Sequence, residues 1–252
     1  MIGTRVSHEL RRRLVRVVRA ERISPRMRRI VVGGEQLAGF TSLGPDDHVK
    51  LFFPERGVTD PDAVFASPRR DYTPQRFDPE RLELTLDFVL HGAGPASSWA
   101  AEAEPGELLG LGGPRASLVP PDDATPWVLA GDETALPAIG RALAELNPGQ
   151  ACLALIEVAD VEEERYLPSP GNAQIRFLHR NGVDAGRSDL LDQALREASL
   201  PAGAAFRIAA EIETARRLRD WLIAERGIDR DRIRAAGYWR LGAADGGSRI
   251  DS

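Results

Sequence analysis

The chain has 252 residues, a formal net charge of −5 and 42% hydrophobic content, which suits one large or two modest globular domains. The acidic balance argues against nucleic acid as a partner. No window approaches the ~18 apolar residues of a membrane span, so a soluble, cytoplasmic protein is expected.

Taken in chain order, LVRVVRAERI and MRRIVVGG are short β-branched runs that read as strands. DHVKLFFP alternates, with His48, Lys50 and Phe52 pointing one way and Val49, Leu51 and Phe53 the other. Lys50 is the only lysine; every other basic side chain of this type is arginine. Glu55 to Arg69 is polar and punctuated by proline and glycine, a surface loop. LELTLDFVLH alternates again and ELLGLGGPR closes on a glycine turn, so the first half predicts an antiparallel barrel.

The pattern changes at PPDDATP, Pro120 to Pro126, a plausible linker. Beyond it, the strands WVLAG, CLALIEV, IRFLH and FRIAA alternate with the helices TALPAIGRALAEL, SDLLDQALREA and ETARRLRDWLIAERG. That order implies a parallel sheet, with RIRAAGYWRLG as its last strand. The tail AADGGSRIDS is small and polar and is expected to fray. A ligand is expected between the two halves, at the C-terminal ends of the parallel strands.

Five constellations are candidates for chemistry. RDYTPQR, Arg70 to Arg76, is a charged turn, an anion site, or a cradle for a flat phosphorylated cofactor. In an extended segment Arg70 and Tyr72 share a face, where a guanidinium forks onto phosphate and a ring lies along a heterocycle; the Thr73 hydroxyl meets its polar edge. HGAGPASSWA offers Gly94 as N-cap and Pro95 as first helical residue, so free N–H groups and Ser97 make either an anion site or a merely well-capped helix. His91 stands at the strand exit, as a structural residue or a cofactor contact. AGDETALPAI is a strand-to-helix turn with Thr134 as N-cap, but Asp132 and Glu133 make it a weak phosphate loop. In AAEIETARRLRDW the transition falls near Glu211; the arginines that follow, Arg216 among them, hold a 2′-phosphate or pair with Glu213 and Asp220 on a solvated face. Tyr238 and Trp239 are core, or abut a flavin ring. Cys152, the single cysteine, lies in the apolar run ACLALIEV and reads as a small core residue. No metal-ligand spacing, nucleophile motif or general base stands out, which suits chemistry carried by a cofactor.

Together HVKLFFP, RDYTPQRFD, LDFVLHGAGPASSWA, GDETALPAI, AAEIETARRLRDWL and GYWRLG resemble the siderophore-interacting protein family, flavin-dependent ferric-siderophore reductases related to ferredoxin reductases. R-x-Y-T followed by H-G-x-x-G-P-A-S-x-W is its most specific part. The resemblance implies a six-stranded antiparallel FAD-binding barrel over residues 1–121 and a Rossmann-like NAD(P)-binding domain with a parallel sheet over 122–252. It implies non-covalent FAD, with Arg70, Tyr72 and Thr73 at the isoalloxazine and ribityl region and Arg76 close by. Asp87, Val89 and His91 line the cofactor, Gly94, Ala96, Ser97 and Trp99 cradle its pyrophosphate, and Thr134 approaches from the second domain. Tyr238 and Trp239 join the cofactor set, and Glu211 and Arg216 serve the nicotinamide nucleotide. NADPH or NADH then delivers hydride to the flavin, which passes single electrons to siderophore-bound Fe(III); Fe(II) binds oxygen donors less tightly and is released. Lys50, Arg69 and Arg240 are the implied cations for an anionic ferric siderophore. The alternatives are a flavin reductase serving a protein partner of ferredoxin type, and a siderophore-binding module without efficient turnover. A monomer is expected.

Overall fold

A computed structural model describes residues 2–92, 94–243 and 248–249. The chain divides into two compact units, residues 5–119 and residues 120–252 joined by 1–4. Among the described residues no helix is long and apolar enough to cross a membrane.

In the first unit the strands are β1 (Thr4–Ser7), β2 (Arg12–Ser24), β3 (Met27–Gly33), β4 (Val49–Phe52), β5 (Arg69–Tyr72), β6 (Arg76–Asp78), β7 (Glu83–Val89), β8 (Leu108–Gly112) and β9 (Ala116–Val119). Seven of them form one antiparallel sheet in the order β5-β4-β8-β2-β3-β7-β6, and β1 pairs with β9. Alternation builds its core: Val15 and Val17, Ile30 and Val32, Val49 and Leu51, Leu84, Leu86 and Phe88, Leu109 and Leu111 are all buried on one face. The sheet curls until the Tyr72 ring, on edge strand β5, lies 4.2 Å from the Phe88 ring on β7.

The expected strand count of six is corrected to seven by RDYTPQR itself. Pro74 has no N–H and restricts Thr73 before it, so the ladder breaks there. The chain leaves one sheet edge as β5, paired with β4, and resumes at the other as β6, paired with β7. Residues 73–75 bridge the two edges of the curl.

Helix α1 (Pro61–Ala66) lies within the segment expected to be a bare loop. Asp60 accepts from the Ala63 N–H at 2.9 Å and Pro61 opens the helix, so Asp-Pro is here a cap rather than a turn. Its Val64 and Phe65 press on Phe52 and on Gly110, where an added Cβ would sit 2.9–3.0 Å from all three side chains. Helix α2 (Pro95–Glu102) packs Ala96 and Ala100, one turn apart, into the same core.

The second unit holds β10 (Trp127–Gly131), α3 (Leu136–Ala144), β11 (Ala151–Val158), β12 (Asn172–His179), α4 (Leu190–Glu197), β13 (Ala205–Glu211), α5 (Ile212–Ala224), β14 (Ile233–Trp239) and β15 (Ser248–Arg249). The order is β12-β11-β10-β13-β14-β15, parallel throughout except for the antiparallel β15. The chain steps outward from β10 to β12 and returns on the other side as β13, which places the topological switch between β10 and β13. Cys152 is buried in β11, and burial pushes its thiol up to about 12, as suits an inert core residue. Of the tail expected to fray, residues 244–247 and 250–252 lie outside the described residues, whereas Ser248–Arg249 pair with β14.

Candidate functional site

In the first unit, RDYT is half inside and half outside. Arg70 and Tyr72 are half-buried; Arg69 and Asp71 are exposed on the other side of the β4–β5 ladder. Tyr72 joins Phe53, Phe88 and Trp99 in an aromatic cluster with ring centroids 4.2–6.4 Å apart. Burial raises the Tyr72 phenol well above its usual range, outweighing the pull of the Arg70 cation, so it stays a protonated donor. Thr73 is buried, yet its hydroxyl has no hydrogen-bond partner among the described residues. Arg76, at the start of β6, has no ion pair among the described residues; Asp78 accepts instead from the Glu80 and Arg81 N–H groups, each at 3.0 Å.

Helix α2 starts as its sequence suggests. Gly94 is the N-cap at φ 86°, a conformation in which a side chain is strained, and no side chain caps the first-turn N–H groups. The Ser97 hydroxyl accepts from the His91 N–H at 3.0 Å, tying the exit of β7 to the helix start. The other end is clamped: Arg28 on β3 donates to the carbonyls of Ala100 (2.9 Å), Ala101 and Ala103 (2.9 Å). One terminus is therefore fixed to the sheet and the other left open to an anion. Asp87, on the face of β7 away from Phe88, is engaged twice by Arg29, at 2.7 and 2.8 Å.

In the second unit the β10–α3 turn is filled by its own side chains. Asp132 Oδ1 accepts from the Thr134 N–H (2.9 Å) and hydroxyl (2.5 Å); Oδ2 accepts from the Glu211 N–H (3.0 Å) and from Trp239 Nε1 (2.8 Å). One carboxylate thus joins the ends of β10, β13 and β14 at the switch point. Burial, then the neighbouring Glu133, raises its pKa from 3.8 to about 6. Glu133 is in turn held by Arg180 through two contacts of 2.6 Å, and Arg180 also reaches Glu157 at 3.3 Å. At the next turn Glu211 caps α5, accepting from Glu213 N (2.7 Å) and Thr214 N (3.2 Å). Arg216, at 3.0 Å, and Arg240, at 4.0 Å, share the Glu213 carboxylate.

Residues 16–118 match the family model described as the siderophore-interacting FAD-binding domain, and residues 124–242 match that of the siderophore-interacting protein. The chain is 39% identical over 251 residues to an NADPH-dependent ferric-chelate reductase of Escherichia coli, covering 93% of this chain and 95% of that one. The chain belongs to the siderophore-interacting protein family. Ferric vibriobactin reductase of Vibrio cholerae is 34% identical over 94% of this chain and 93% of its own. The crystal structure of a siderophore utilization protein from T. fusca superposes with a TM-score of 0.86 at 41% identity, covering 98% of each chain.

Within this siderophore-interacting fold, Arg70, Tyr72 and Thr73 lie on one short stretch, and Val89 and His91 lead directly into Gly94, Ala96 and Ser97. Lys50 and Arg69 share the opposite, outward face of the β4–β5 ladder. Asp71 pairs with Lys50 at 2.7 Å, because the register sets them directly across from each other. Thr134 is not the cap of α3: the helix begins at Leu136 after Ala135, and Thr134 donates to Asp132. Arg240 stands beside Arg216, in the same unit as the nucleotide candidates. Arg28, Arg29 and Arg180 were not singled out from the sequence. Each works through a partner 58 to 75, or 23 to 47, residues away, and no local pattern marks such a pairing.

Proposed function

We propose that this chain is an FAD-dependent ferric-siderophore reductase that draws on NADPH or NADH. Kinship along nearly the whole chain with an NADPH-dependent ferric-chelate reductase carries the reading. The residues of the first unit fit FAD: an uncapped helix terminus for phosphate, the hydroxyl of the buried residue Thr73 with no partner among the described residues, and a ring held by other rings. Bound FAD supplies the step from a two-electron donor to a one-electron acceptor.

The chain's own residues bind and orient. Arg70 and the first-turn N–H groups at Gly94, Ala96 and Ser97 meet the diphosphate. Tyr72 gives a flat wall with its phenol protonated, and Thr73 gives a hydroxyl for the polar edge of the ring. Val89, His91 and Trp99 shape the surface, while Asp87 acts through Arg29, which holds its carboxylate. Arg76 adds an exposed cation at the head of β6. Lys50 and Arg69 face outward to attract an anionic ferric siderophore, with Asp71 moderating Lys50.

In the second unit, Arg216 beside Glu213 is the cation for a nicotinamide dinucleotide, Arg240 is the further cation for the ferric siderophore, and Glu211 shapes the turn as a cap. Thr134 and Trp239 are oriented by Asp132, with Tyr238 beside Trp239 in sequence. The filled β10–α3 turn favours a second reading of the donor, a one-electron protein of ferredoxin type. A monomer in the cytoplasm, where nicotinamide dinucleotides are at hand, completes the proposal.

The test is anaerobic. The purified protein should release FAD on denaturation, and NADPH or NADH should bleach its flavin absorbance. Bleaching by a chemical reductant but by neither nucleotide would transfer the donor role to a protein. A protein that binds no FAD would remove the reading.

A further inference from the structure

In an open α/β sheet, the N–H groups at the switch point are the ones that receive a dinucleotide's diphosphate. Here they already hold an anion of the chain's own. The Thr134 N–H, after β10, and the Glu211 N–H, at the end of β13, both donate to the Asp132 carboxylate, at 2.9 and 3.0 Å. The Thr134 hydroxyl and Trp239 Nε1 bring the donors on that one group to four. Asp132 is 4% exposed and has no ion pair among the described residues.

The charged groups around the turn do not balance it. Beside Asp132, Glu133 is claimed by Arg180 at the end of β12, which also reaches Glu157 on β11. Across from it, Glu211 turns its own carboxylate to the Glu213, Thr214 and Leu241 N–H groups. Arg217 of α5 is held by Asp192, and Arg240 after β14 leans to Glu213. Arg187, in the loop after β12, faces Asp184, and Arg141 of α3 faces Glu145. These cations are committed to other carboxylates, so the Asp132 charge rests on N–H and O–H dipoles alone.

A diphosphate reaching these N–H groups meets a carboxylate already on them. Protonation removes the conflict. A neutral carboxyl is a weaker acceptor and no longer repels phosphate. The Thr134 hydroxyl, now a donor to Asp132, can turn and accept the new proton. Burial, then the neighbouring Glu133, raises this carboxyl to about 6, so the proton is within reach near neutral pH.

We infer that Asp132 is an internal competitor for the diphosphate of the nicotinamide dinucleotide, and that the dinucleotide binds the second unit with uptake of a proton by this carboxyl. The inference rests on the reading of NADPH or NADH as donor. It adds to that reading how a filled turn still admits a nucleotide, and what sets its affinity.

The experiment is a calorimetric titration of the FAD-loaded full chain with NADP+ and with NAD+, from pH 5 to pH 8, in buffers of different ionisation heat. NAD+ lacks the 2′-phosphate, whose own titration imitates that of a carboxyl in this range. The unaltered chain should bind NAD+ roughly tenfold more tightly at pH 5 than at pH 8, and should draw a proton from the buffer near pH 7. Asp132→Ser removes the carboxylate and leaves the N–H groups to the ligand. It should bind NAD+ roughly tenfold more tightly than the unaltered chain at pH 8, with neither pH dependence nor proton uptake. A merely structural Asp132 predicts the opposite sign, because a loosened turn binds less well. The pH and buffer series on the unaltered chain decide the matter even if the variant does not fold. Affinity for NAD+ independent of pH, binding without proton uptake, or weaker binding by a folded Asp132→Ser overturns the inference and leaves the donor reading standing. No binding of either nucleotide at any pH, with no bleaching of the flavin by NADPH or NADH, overturns the donor reading and this inference with it.

Discussion

Asp132 takes the place that a phosphate loop leaves for a ligand, and its surroundings make it testable as a single residue. Its carboxyl is raised from 3.8 to about 6, so the folded protein holds a proton there that the unfolded chain has lost. Stability from this group is therefore greatest below about pH 4 and declines as pH rises toward about 6, levelling off above. Denaturant titrations from pH 4 to 7 should show that decline, and Asp132→Asn should lack it. The same substitution sets an NH2 group against N–H donors, since Asp132 accepts from Thr134, Glu211 and Trp239 at once. It should cost about 1–3 kcal/mol at neutral pH, read as a lower melting temperature. Two cationic residues are expected to divide their effects. Arg70→Ala should lower FAD retention on dialysis. Lys50→Ala should weaken ferric-siderophore affinity with flavin content unchanged, and Asp71→Asn, which frees the Lys50 ammonium, should strengthen it. Loss of flavin from Lys50→Ala would show that the outward face is misassigned.

At the scale of elements, α2 is an eight-residue helix with an open start and a clamped end. Arg28→Ala should release the carbonyls of Ala100, Ala101 and Ala103, lower thermal stability and weaken FAD binding, although Arg28 lies outside the six segments that carry the resemblance. An unchanged FAD dissociation constant in that variant would mean that the helix positions itself without the clamp. Much of this element pattern was legible in the sequence, because β7 alternates strictly and Gly94-Pro95 marks a helix start in any context. The departures have local physical causes. Asp60-Pro61 is punctuation in a loop and a cap in a helix, and the choice depends on Phe52 and Gly110, which receive Val64 and Phe65. Thr73-Pro74 reads as a turn, yet it joins opposite edges of a sheet, a matter of long-range pairing. Thr134 has the chemistry of a cap, but Asp132 draws its hydroxyl away.

At the scale of the molecule, the proposed roles fall into the two units. Residues 5–119 carry the flavin candidates and the outward cations Lys50 and Arg69; residues 120–252 carry the arginine pair and the tightly hydrogen-bonded switch point. The boundary between the units was visible in the change of pattern after Pro120, because strand alternation and strand–helix alternation are periodicities of sequence. The hydrogen bonds that fill the β10–α3 turn were not visible, because Asp132 gathers donors from three strand ends. No protein side chain is proposed as acid, base or nucleophile, so the account stands or falls on electron flow from flavin to iron. The most direct measurement reduces the FAD-loaded protein anaerobically, adds ferric hydroxamate and ferric catecholate complexes separately, and traps Fe(II). Reoxidation of the flavin matched by trapped Fe(II) with at least one class is the expected result. A flavin that stays reduced, with no Fe(II) from either class, would contradict the account.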